Sequence, residues 1–251
     1  MTTPGGKTVY GASLGILMLN TRFPRVPGDI GNAETWPFPV AYKVVEAATP
    51  DAVVRGDAHP LLNAFIEAGQ ELVRLGCDGI ATNCGFLVPF QDEMRGALGV
   101  PVASSSLLQA PMIQRSLPPG QVVGILTISS ETMTQAHLDA AEIPQGTPIM
   151  GTGAGSHFTQ RVLDDAYEID FAQARADNVE AAMALVKAHP NVGAILLECT
   201  NMVPYAADIR RAAGRPVFSI YTYLLWFQSA LQPRRFPTVL DDTRPNADIA
   251  P

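Results

Sequence analysis

Two stretches of the chain decide its fold because each repeats the other: residues 79–104 read GIATNCGFLVPFQDEMRGALGVPVAS, and residues 194–219 read AILLECTNMVPYAADIRRAAGRPVFS. At an offset of 115 with no gap, ten of the 26 aligned positions are identical. Unrelated segments of average composition would share about two. The first predicted strands match as well, since Gly15-Ile16-Leu17 resembles Gly124-Ile125-Leu126. The chain is therefore predicted to contain two similar halves.

Around these stretches, short apolar runs alternate with alanine-rich helical segments. Continuously apolar runs predict parallel strands that are covered on both faces. The predicted strands cover residues 13–19, 79–82, 101–104, 122–128, 148–151, 193–197 and 216–220, and the predicted helices include 59–75, 90–98, 130–141, 170–188, 205–213 and 222–231. This alternation predicts an α/β fold with two similar parallel-sheet domains related by a pseudo-twofold axis.

Composition excludes several classes of protein. The chain has 251 residues, is 47% hydrophobic and carries a net charge of −7, so it can bury a large core and is a poor match for nucleic acid or an anionic membrane surface. It has no run of apolar residues long enough to predict a membrane span, and its start lacks the pattern of a secretory signal. Three cysteines are too few for a disulfide scaffold and suit a reducing cytoplasm, where we expect the protein to reside.

The repeated unit places a cysteine at the same position in each half. Cys84 and Cys199 directly follow a predicted strand, and ligands of parallel α/β sheets bind beyond the carboxyl ends of the strands. Pro89 and Pro204 suit the first turn of the helix that comes next. Free backbone N–H groups at that turn attract carboxylates and favour thiolate over thiol. Each half is therefore predicted to offer one thiol beside a carboxylate-binding backbone.

Two symmetric thiols facing one cleft predict proton transfer on both sides of a substrate. One sulfur would remove the proton from the carbon α to a carboxylate, and the other would return a proton to the opposite face, which inverts a stereocentre. Both copies keep cysteine although the adjacent residues differ, which favours a function over packing alone. The predicted substrate-binding residues are Asn20, Asn83, Gly85, Thr200 and Asn201.

Other features carry weaker predictions. The loop from Arg22 to Pro39 is long enough to be a functional lid. Arg22 or Arg25 in this loop could bind a carboxylate, but the favoured prediction is that both are solvated surface residues. Cys77 has no duplicate and is predicted to be structural. The four histidines lack metal-site spacing, so no metal is expected. The polar tail at 233–251 is a candidate arm for a second copy of the chain, so a homo-oligomer is left open.

The two cysteine motifs, Asn83-Cys84 and Glu198-Cys199-Thr200-Asn201, resemble those of the aspartate/glutamate/hydantoin racemase superfamily. That resemblance implies an enzyme without pyridoxal phosphate or another cofactor, in which Cys84 and Cys199 are the opposed acid and base. It also implies that the second domain is inserted into the first. The expected first domain then covers residues 1–99 and 215–232, and the expected second domain covers 100–214.

The sequence therefore predicts an isomerase that acts on a small carboxylate, such as a racemase of aspartate or a related compound. Activities resembling maleate isomerase or hydantoin racemase stay open, whereas two cysteines disfavour an arylmalonate decarboxylase-like reaction. A non-catalytic two-lobed protein that binds a small anion is the alternative from another class. A dinucleotide-dependent enzyme is disfavoured because the chain lacks a dinucleotide fingerprint.

Overall fold

The computed structural model describes Thr2 and residues 4–238, and it contains two four-stranded parallel sheets. The strands are β1 (Leu14–Leu19), β2 (Val40–Val45), β3 (Gly79–Thr82), β4 (Val102–Ala103), β5 (Val122–Thr127), β6 (Ile149–Gly151), β7 (Val192–Leu197) and β8 (Val217–Phe218). The orders are β2-β1-β3-β4 and β6-β5-β7-β8, so the fifth to eighth strands repeat the arrangement of the first four. The predicted α/β fold with two similar parallel-sheet halves is confirmed.

The helices flank both sheets. They are α1 (Leu62–Leu75), α2 (Gln91–Leu98), α3 (Ala110–Ser116), α4 (Gln135–Ala140), α5 (His157–Leu163), α6 (Phe171–Ala188), α7 (Ala206–Ala213) and α8 (Ile220–Leu231). The equivalent helices α2 and α7 both end at a glycine in the left-handed conformation, Gly99 with φ 66° and Gly214 with φ 64°. Glycine tolerates this conformation because it lacks a Cβ atom, so the repeated glycine ends the helix in both halves.

The buried strands follow directly from the apolar runs. All six residues of β1 and of β7 are buried, because parallel strands in the middle of a sheet carry helices on both faces. Strand β2 was not predicted. It lies at the edge of its sheet beside β1, and most of its residues are only partly buried. Its mixed sequence, VAYKVV, therefore lacks the continuous apolar run that marks the other strands.

One helix from each half packs against the sheet of the other half. Leu107, just before α3, and Ile113, in α3, pack in a buried cluster with residues of β5 and β7. Leu224 and Phe227 of α8 pack in a cluster with residues of β1, β3 and β4. This exchange ties the two halves together through buried apolar surface.

The expected domain boundaries differ from the sheet assignments by one strand in each half. Residues 102–103 were expected in the second domain, but β4 pairs with β3 through Ile80–Val102 and Ala81–Ala103. Residues 217–218 were expected in the first domain, but β8 pairs with β7 through Ile195–Val217 and Leu196–Phe218. The chain therefore changes sheets after the fourth strand of each half, at the start of the exchanged helix.

Two remaining expectations concern membranes and the tail. Among the described residues, no helix is both long enough and apolar enough to cross a membrane. Of the tail expected at 233–251, residues 233–238 are described and lack helix or strand, and the rest lies outside the described residues.

The exchanged helix α8 provides a test of this packing. We expect Leu224→Ala to reduce the free energy of unfolding by about 2–5 kcal/mol, because it leaves a cavity where a fully buried side chain contacts the first sheet. Urea unfolding measures the change. Ser229→Ala in the same helix is exposed and serves as the matched control, with an expected change within about 0.5 kcal/mol. Equal effects of the two substitutions would contradict the packing of α8 against the first sheet.

Candidate active site

Each cysteine follows the carboxyl end of a central strand and directly precedes a short 3-10 helix. Cys84 precedes the helix Gly85–Phe90, and Cys199 precedes the helix Thr200–Tyr205. The sulfur of Cys84 faces the backbone N–H of Phe86, and the sulfur of Cys199 faces the backbone N–H of Asn201. The repeated sequence thus gives each thiol one backbone donor, two residues further along the chain.

Both cysteines line one narrow cavity between the two halves. Cys84 is 9% exposed and Cys199 is 7% exposed, so both thiols are recessed from the surface. Polar side chains from both halves share the cavity with them. The apolar part of the wall consists of Leu19, Phe23, Pro50, Val54, Phe86, Ile128, Val162 and Leu163.

The two cysteine loops are joined by direct contacts. The hydroxyl of Thr200 donates a hydrogen bond of 2.6 Å to the backbone carbonyl of Asn83. The side-chain oxygen of Asn83 accepts a bond of 2.8 Å from the backbone N–H of Leu19. Gly85 lies against Glu198, since a Cβ atom on Gly85 would overlap Glu198 Oε1 and lie 2.6 Å from the Glu198 carbonyl oxygen. The loops can approach this closely only because residue 85 has no side chain.

Glu198 is a buried carboxylate in the wall of the cavity. Its side chain is 1% exposed, and its Oε2 accepts a hydrogen bond of 2.8 Å from the hydroxyl of Thr127 on β5. Burial raises the pKa of Glu198 to about 7, although the bonds from Thr127 and from the backbone of Ile128 oppose the shift. This carboxyl group therefore changes its charge near neutral pH.

The electrostatic environment of the thiols differs from the sequence-based expectation. Burial raises the pKa of Cys84 to about 12 and raises that of Cys199 well above its usual range, and the Glu198 carboxylate raises both further. The backbone N–H groups of Phe86 and Asn201 lower these pKa values, as expected, but by less than burial raises them. The net shift of both thiol pKa values is therefore upward, because burial outweighs the backbone donors that the sequence predicts.

A second polar network reaches Cys199 from the loop after β1. The Cys199 thiol donates to the side-chain oxygen of Asn201 at 3.6 Å, and Asn201 donates to Asp29 at 2.6 Å. Arg25 donates to the other oxygen of Asp29 at 2.7 Å and to the hydroxyl of Thr21 at 2.9 Å. Cys84 and Cys199 thus lie in similar backbones but have different polar neighbours.

Four of the five predicted substrate-binding residues line the cavity: Asn83, Gly85, Thr200 and Asn201. The exception is Asn20, which is exposed and donates to the backbone and the carboxylate of Glu46 at 3.3 and 3.0 Å. Asn20 does not line the cavity because, directly after β1 ends at Leu19, its side chain bonds to Glu46 in the segment after β2. The neighbouring Thr21 lines the cavity instead.

The two arginines of the long loop have different positions. Arg25 was expected to be solvated, but its side chain is 12% exposed, lines the cavity and lies over the ring of Phe23. Arg22 is exposed and pairs with Asp165 of the other half at 2.9 Å. Cys77 is buried at the junction before β3 and does not line the cavity, which agrees with a structural role.

Sequence reasoning missed Glu198 and Asp29 as residues of the site. Glu198 had a signal, since it is the charged residue at the end of the apolar run Ala194–Leu197 and directly precedes the cysteine. A charge beside a buried strand requires a partner or a function. Asp29 had no signal, because it lies in an irregular loop whose path the sequence does not reveal.

Two ion pairs join the halves at the rim of the cavity. Arg22 pairs with Asp165 at 2.9 Å and Arg55 pairs with Asp164 at 2.8 Å, in a depression that shares Pro50 and Leu163 with the cavity.

In the part of the chain that the structure describes, His, Cys, Asp and Glu side chains form no group of three that could hold a metal ion. The groups available for chemistry at the cavity are two thiols, one carboxylate, amides, hydroxyls and one guanidinium.

The fold and the site define a class of two-lobed α/β proteins in which a thiol-lined cavity lies between two similar lobes. A family model described as Asp/Glu/Hydantoin racemase matches residues 47–227, which include both cavity cysteines. The chain belongs to this family of enzymes.

Among curated proteins, the chain is similar to dimethylsulfoniopropionate lyases. It is 26% identical over 226 residues to the dimethylsulfoniopropionate lyase of Durusdinium sp. clade D, covering 86% of this chain and 74% of that protein. It is 27% identical over 231 residues to dimethylsulfoniopropionate lyase 5 of Emiliania huxleyi strain CCMP1516, covering 87% of this chain but only 45% of that protein. The chain thus spans less than half the length of the second relative.

Among solved structures, the Gly74Cys mutant of arylmalonate decarboxylase in its sulfate-associated form has the same fold. It superimposes with a TM-score of 0.58 at 15% identity, covering 87% of this chain and 92% of that one. This similarity supports the two-lobed architecture and says nothing of the reaction.

The contact between Gly85 and Glu198 provides a test of the site. We expect Gly85→Ala to destabilise the protein by about 1–3 kcal/mol, because the added methyl group overlaps buried atoms of Glu198. Thermal unfolding measures the effect. Gly96→Ala is the matched control, because no atom lies within 4 Å of a Cβ there and alanine is favoured in the helix by up to about 1 kcal/mol. Unchanged stability of Gly85→Ala would contradict the close approach of the two loops.

The buried Glu198 carboxyl group predicts a pH-dependent stability. Its pKa is about 7 in the folded protein, above its ordinary value of 4.5, so the folded state binds the proton more tightly than the unfolded state does. The group therefore favours folding below about pH 4.5, and this contribution is lost as the pH rises through 7. We expect Glu198→Gln to gain stability relative to the parent protein by on the order of 3 kcal/mol between pH 5 and pH 8.

Denaturant unfolding at intervals across this pH range tests the expectation. Glu34→Gln is the control, because Glu34 is exposed, and its stability difference from the parent should stay nearly constant. Parallel pH curves for the parent protein and Glu198→Gln would show that Glu198 does not titrate near neutral pH.

Proposed function

We propose that this protein removes a proton from the carbon α to a carboxylate of a small zwitterion, and that its reaction is the β-elimination of a sulfonium carboxylate such as dimethylsulfoniopropionate. The observation that carries the proposal is the pair of recessed thiols on one cavity that also contains both charged and apolar surface. The reaction is a lyase reaction on a site of the racemase family. It shares the loss of the α proton with the racemisation expected from the sequence, and the two reactions differ only in the next step.

The chemistry of both reactions begins in the same way. A proton α to a carboxylate is very weakly acidic, so its removal needs a strong base in a site that excludes water and stabilises the carbanion. A thiolate formed at Cys84 or Cys199 is such a base. The backbone N–H groups of the two 3-10 helices lie beside the sulfurs and can bind the substrate carboxylate as charge develops on it.

The walls of the cavity favour a cation without hydrogen-bond donors. An ammonium group needs about three acceptors, whereas a dimethylsulfonium group has no donor and can lie against apolar and aromatic side chains. Phe23 and Phe86 supply aromatic surface, and Glu198 supplies negative charge in the same cavity wall. Arg25 supplies the positive charge that complements the substrate carboxylate.

The curated relatives favour elimination over inversion. Two of them are named dimethylsulfoniopropionate lyases, and each matches more than four-fifths of this chain. In such a substrate, loss of the α proton allows the carbon–sulfur bond to break. The products are acrylate, dimethyl sulfide and the proton now held by the enzyme, so atoms and charge balance.

Racemisation of a small amino acid is the second candidate, and the symmetry of the site favours it. Each thiol follows the equivalent strand of its half and faces an equivalent backbone N–H. Two bases in matching positions are required when a proton leaves one face of the substrate and returns to the other. Elimination requires only one base.

Single cysteine variants distinguish the two reactions. We expect at least one of Cys84→Ser and Cys199→Ser to lower turnover by about 10²–10⁴-fold, because a serine hydroxyl is a far weaker base than a thiolate. Proton NMR in D₂O follows the release of acrylate and dimethyl sulfide from dimethylsulfoniopropionate. The same spectra follow α-proton exchange in aspartate, glutamate and a hydantoin.

An elimination enzyme loses acrylate release strongly in one variant and less in the other. A racemase loses inversion in both variants and retains exchange on one face in each. Cys77→Ser is the matched control and should keep full activity, since Cys77 does not line the cavity. Full activity of both Cys84→Ser and Cys199→Ser would refute any role of the thiols as bases.

A further inference from the structure

We propose that Glu198 is the proton acceptor for the Cys84 thiol, so that the base of the site is formed inside the cavity when one proton moves from Cys84 Sγ to the Glu198 carboxylate. This inference rests on the proposed function, since it explains how a buried thiol becomes a base. Glu198 directly precedes the other cysteine of the pair, but its side chain contacts the loop that contains Cys84.

The number of charges that the cavity can bury limits how a thiolate forms in it. A thiolate and a carboxylate buried together would place two negative charges in a recessed cavity, which is costly because burial disfavours each charge and the two repel. Transfer of the thiol proton to Glu198 moves a single negative charge from oxygen to sulfur. The total charge of the cavity is then unchanged, and no proton has to be exchanged with solvent.

The position of the carboxylate supports this transfer. Glu198 Oε2 is held by the Thr127 hydroxyl, whereas Oε1 lies against Gly85, the residue that follows Cys84. Both Glu198 and Cys84 line the cavity, and the Glu198 charge raises the pKa of Cys84 through space. The sulfur that loses its proton faces the N–H of Phe86, which stabilises the new charge.

His137 of α4 packs its ring edge-on against Phe86 of the Cys84 loop, and burial lowers its pKa. The other charged and titratable groups near the pair come from two further elements. Cys199 follows Glu198 and is affected by its charge, but its thiol donates to Asn201. Arg25 and Asp29 come from the loop after β1 and form an ion pair with each other. These contacts leave Cys84 as the thiol whose loop is in direct contact with Glu198, through Gly85 and Glu198 Oε1.

The transfer balances within the proposed reaction. The S–H bond of Cys84 breaks as an O–H bond forms on Glu198, and the thiolate then takes the α proton of the substrate, which restores the S–H bond. Loss of dimethyl sulfide from the carbanion leaves acrylate. Glu198 then holds one proton, which it releases to solvent when the product leaves.

Alkylation of Cys84 by iodoacetamide tests the shared proton without a substrate. Peptide mass spectrometry follows the rate at Cys84 between pH 6 and pH 9.5 in the parent protein and in Glu198→Gln. In the parent, the rate should rise until about pH 7, where Glu198 ionises, and then level off because further ionisation of Cys84 is opposed by that charge. In Glu198→Gln, it should rise about tenfold per pH unit over the whole range, since the thiol then exchanges its proton only with solvent.

A second variant keeps the carboxylate and therefore separates its role from folding. In the parent protein, the Thr127 hydroxyl binds Glu198 Oε2 and lowers the pKa of Glu198. Thr127→Val removes this hydroxyl, so the pKa of Glu198 and the pH at which the rate levels off should both move upward. Cys77, read from the same spectra, reports general opening of the fold, so the rate at Cys84 is expressed relative to the rate at Cys77 in each protein and at each pH. A rate at Cys84 that has the same pH profile in all three proteins overturns the inference.

Turnover then separates this inference from the proposed function. If dimethylsulfoniopropionate is cleaved and the alkylation profiles do not differ, Glu198 is not the acceptor but the lyase assignment stands. If the profiles differ as expected and none of the tested substrates reacts, the shared proton is supported and the proposed reaction is wrong. Glu198→Asp keeps a carboxyl group on a shorter side chain. If proton sharing rather than packing is the cause, its Cys84 alkylation rate should level off near neutral pH in part, unlike that of Glu198→Gln.

Discussion

The close approach of Gly85 to Glu198 is the contact on which the geometry of the site depends. It brings the loop that follows β3 and the loop that follows β7 together, and the hydrogen bond from Thr200 to the Asn83 carbonyl fixes them at that separation. A side chain at position 85 would hold the loops apart and open the wall of the cavity. The absence of a single Cβ atom therefore determines how the two thiols share one buried space.

The duplicated halves combine a symmetric backbone with asymmetric chemistry. The strand order, the cysteine and the 3-10 helix are repeated, but the residues on either side of the cysteine are not. Before the cysteine, Asn83 accepts a hydrogen bond from β1, whereas its counterpart Glu198 is a buried carboxyl group. After the cysteine, Gly85 allows close contact with Glu198, whereas its counterpart Thr200 donates a hydrogen bond to the Asn83 carbonyl. One backbone thus supports two different thiol environments, which suits a reaction in which only one face of the substrate loses a proton.

The sequence predicted what depends on periodicity and repetition, and it failed where distant segments meet. The buried strands, the two halves and the shared position of Cys84 and Cys199 follow from apolar runs and from the internal repeat. Strand β2 was missed because it lies at an edge of its sheet and has a mixed pattern. Its counterpart in the second half is the edge strand β6, so the internal repeat could have indicated it. Arg25 was misjudged because its burial depends on the path of an irregular loop. The thiol pKa values were misjudged because backbone donors are visible in the sequence, whereas the burial that outweighs them is not.

The floor and the rim of the cavity are held by interactions of different strength. The floor, which the two cysteine loops form, is held by the buried hydrogen bond from Thr200 to the Asn83 carbonyl. The exchanged helices join the two halves through apolar clusters that do not line the cavity. The rim is joined by two ion pairs whose arginine side chains are 55% and 41% exposed, and exposed pairs of this kind typically contribute less than about 1 kcal/mol. Passage of the proposed substrate past the rim would therefore break only weak contacts, while the floor would keep its geometry. Reacting groups held in this way need no reorganisation once the substrate is bound, because the part of the site that opens is not the part that performs the chemistry.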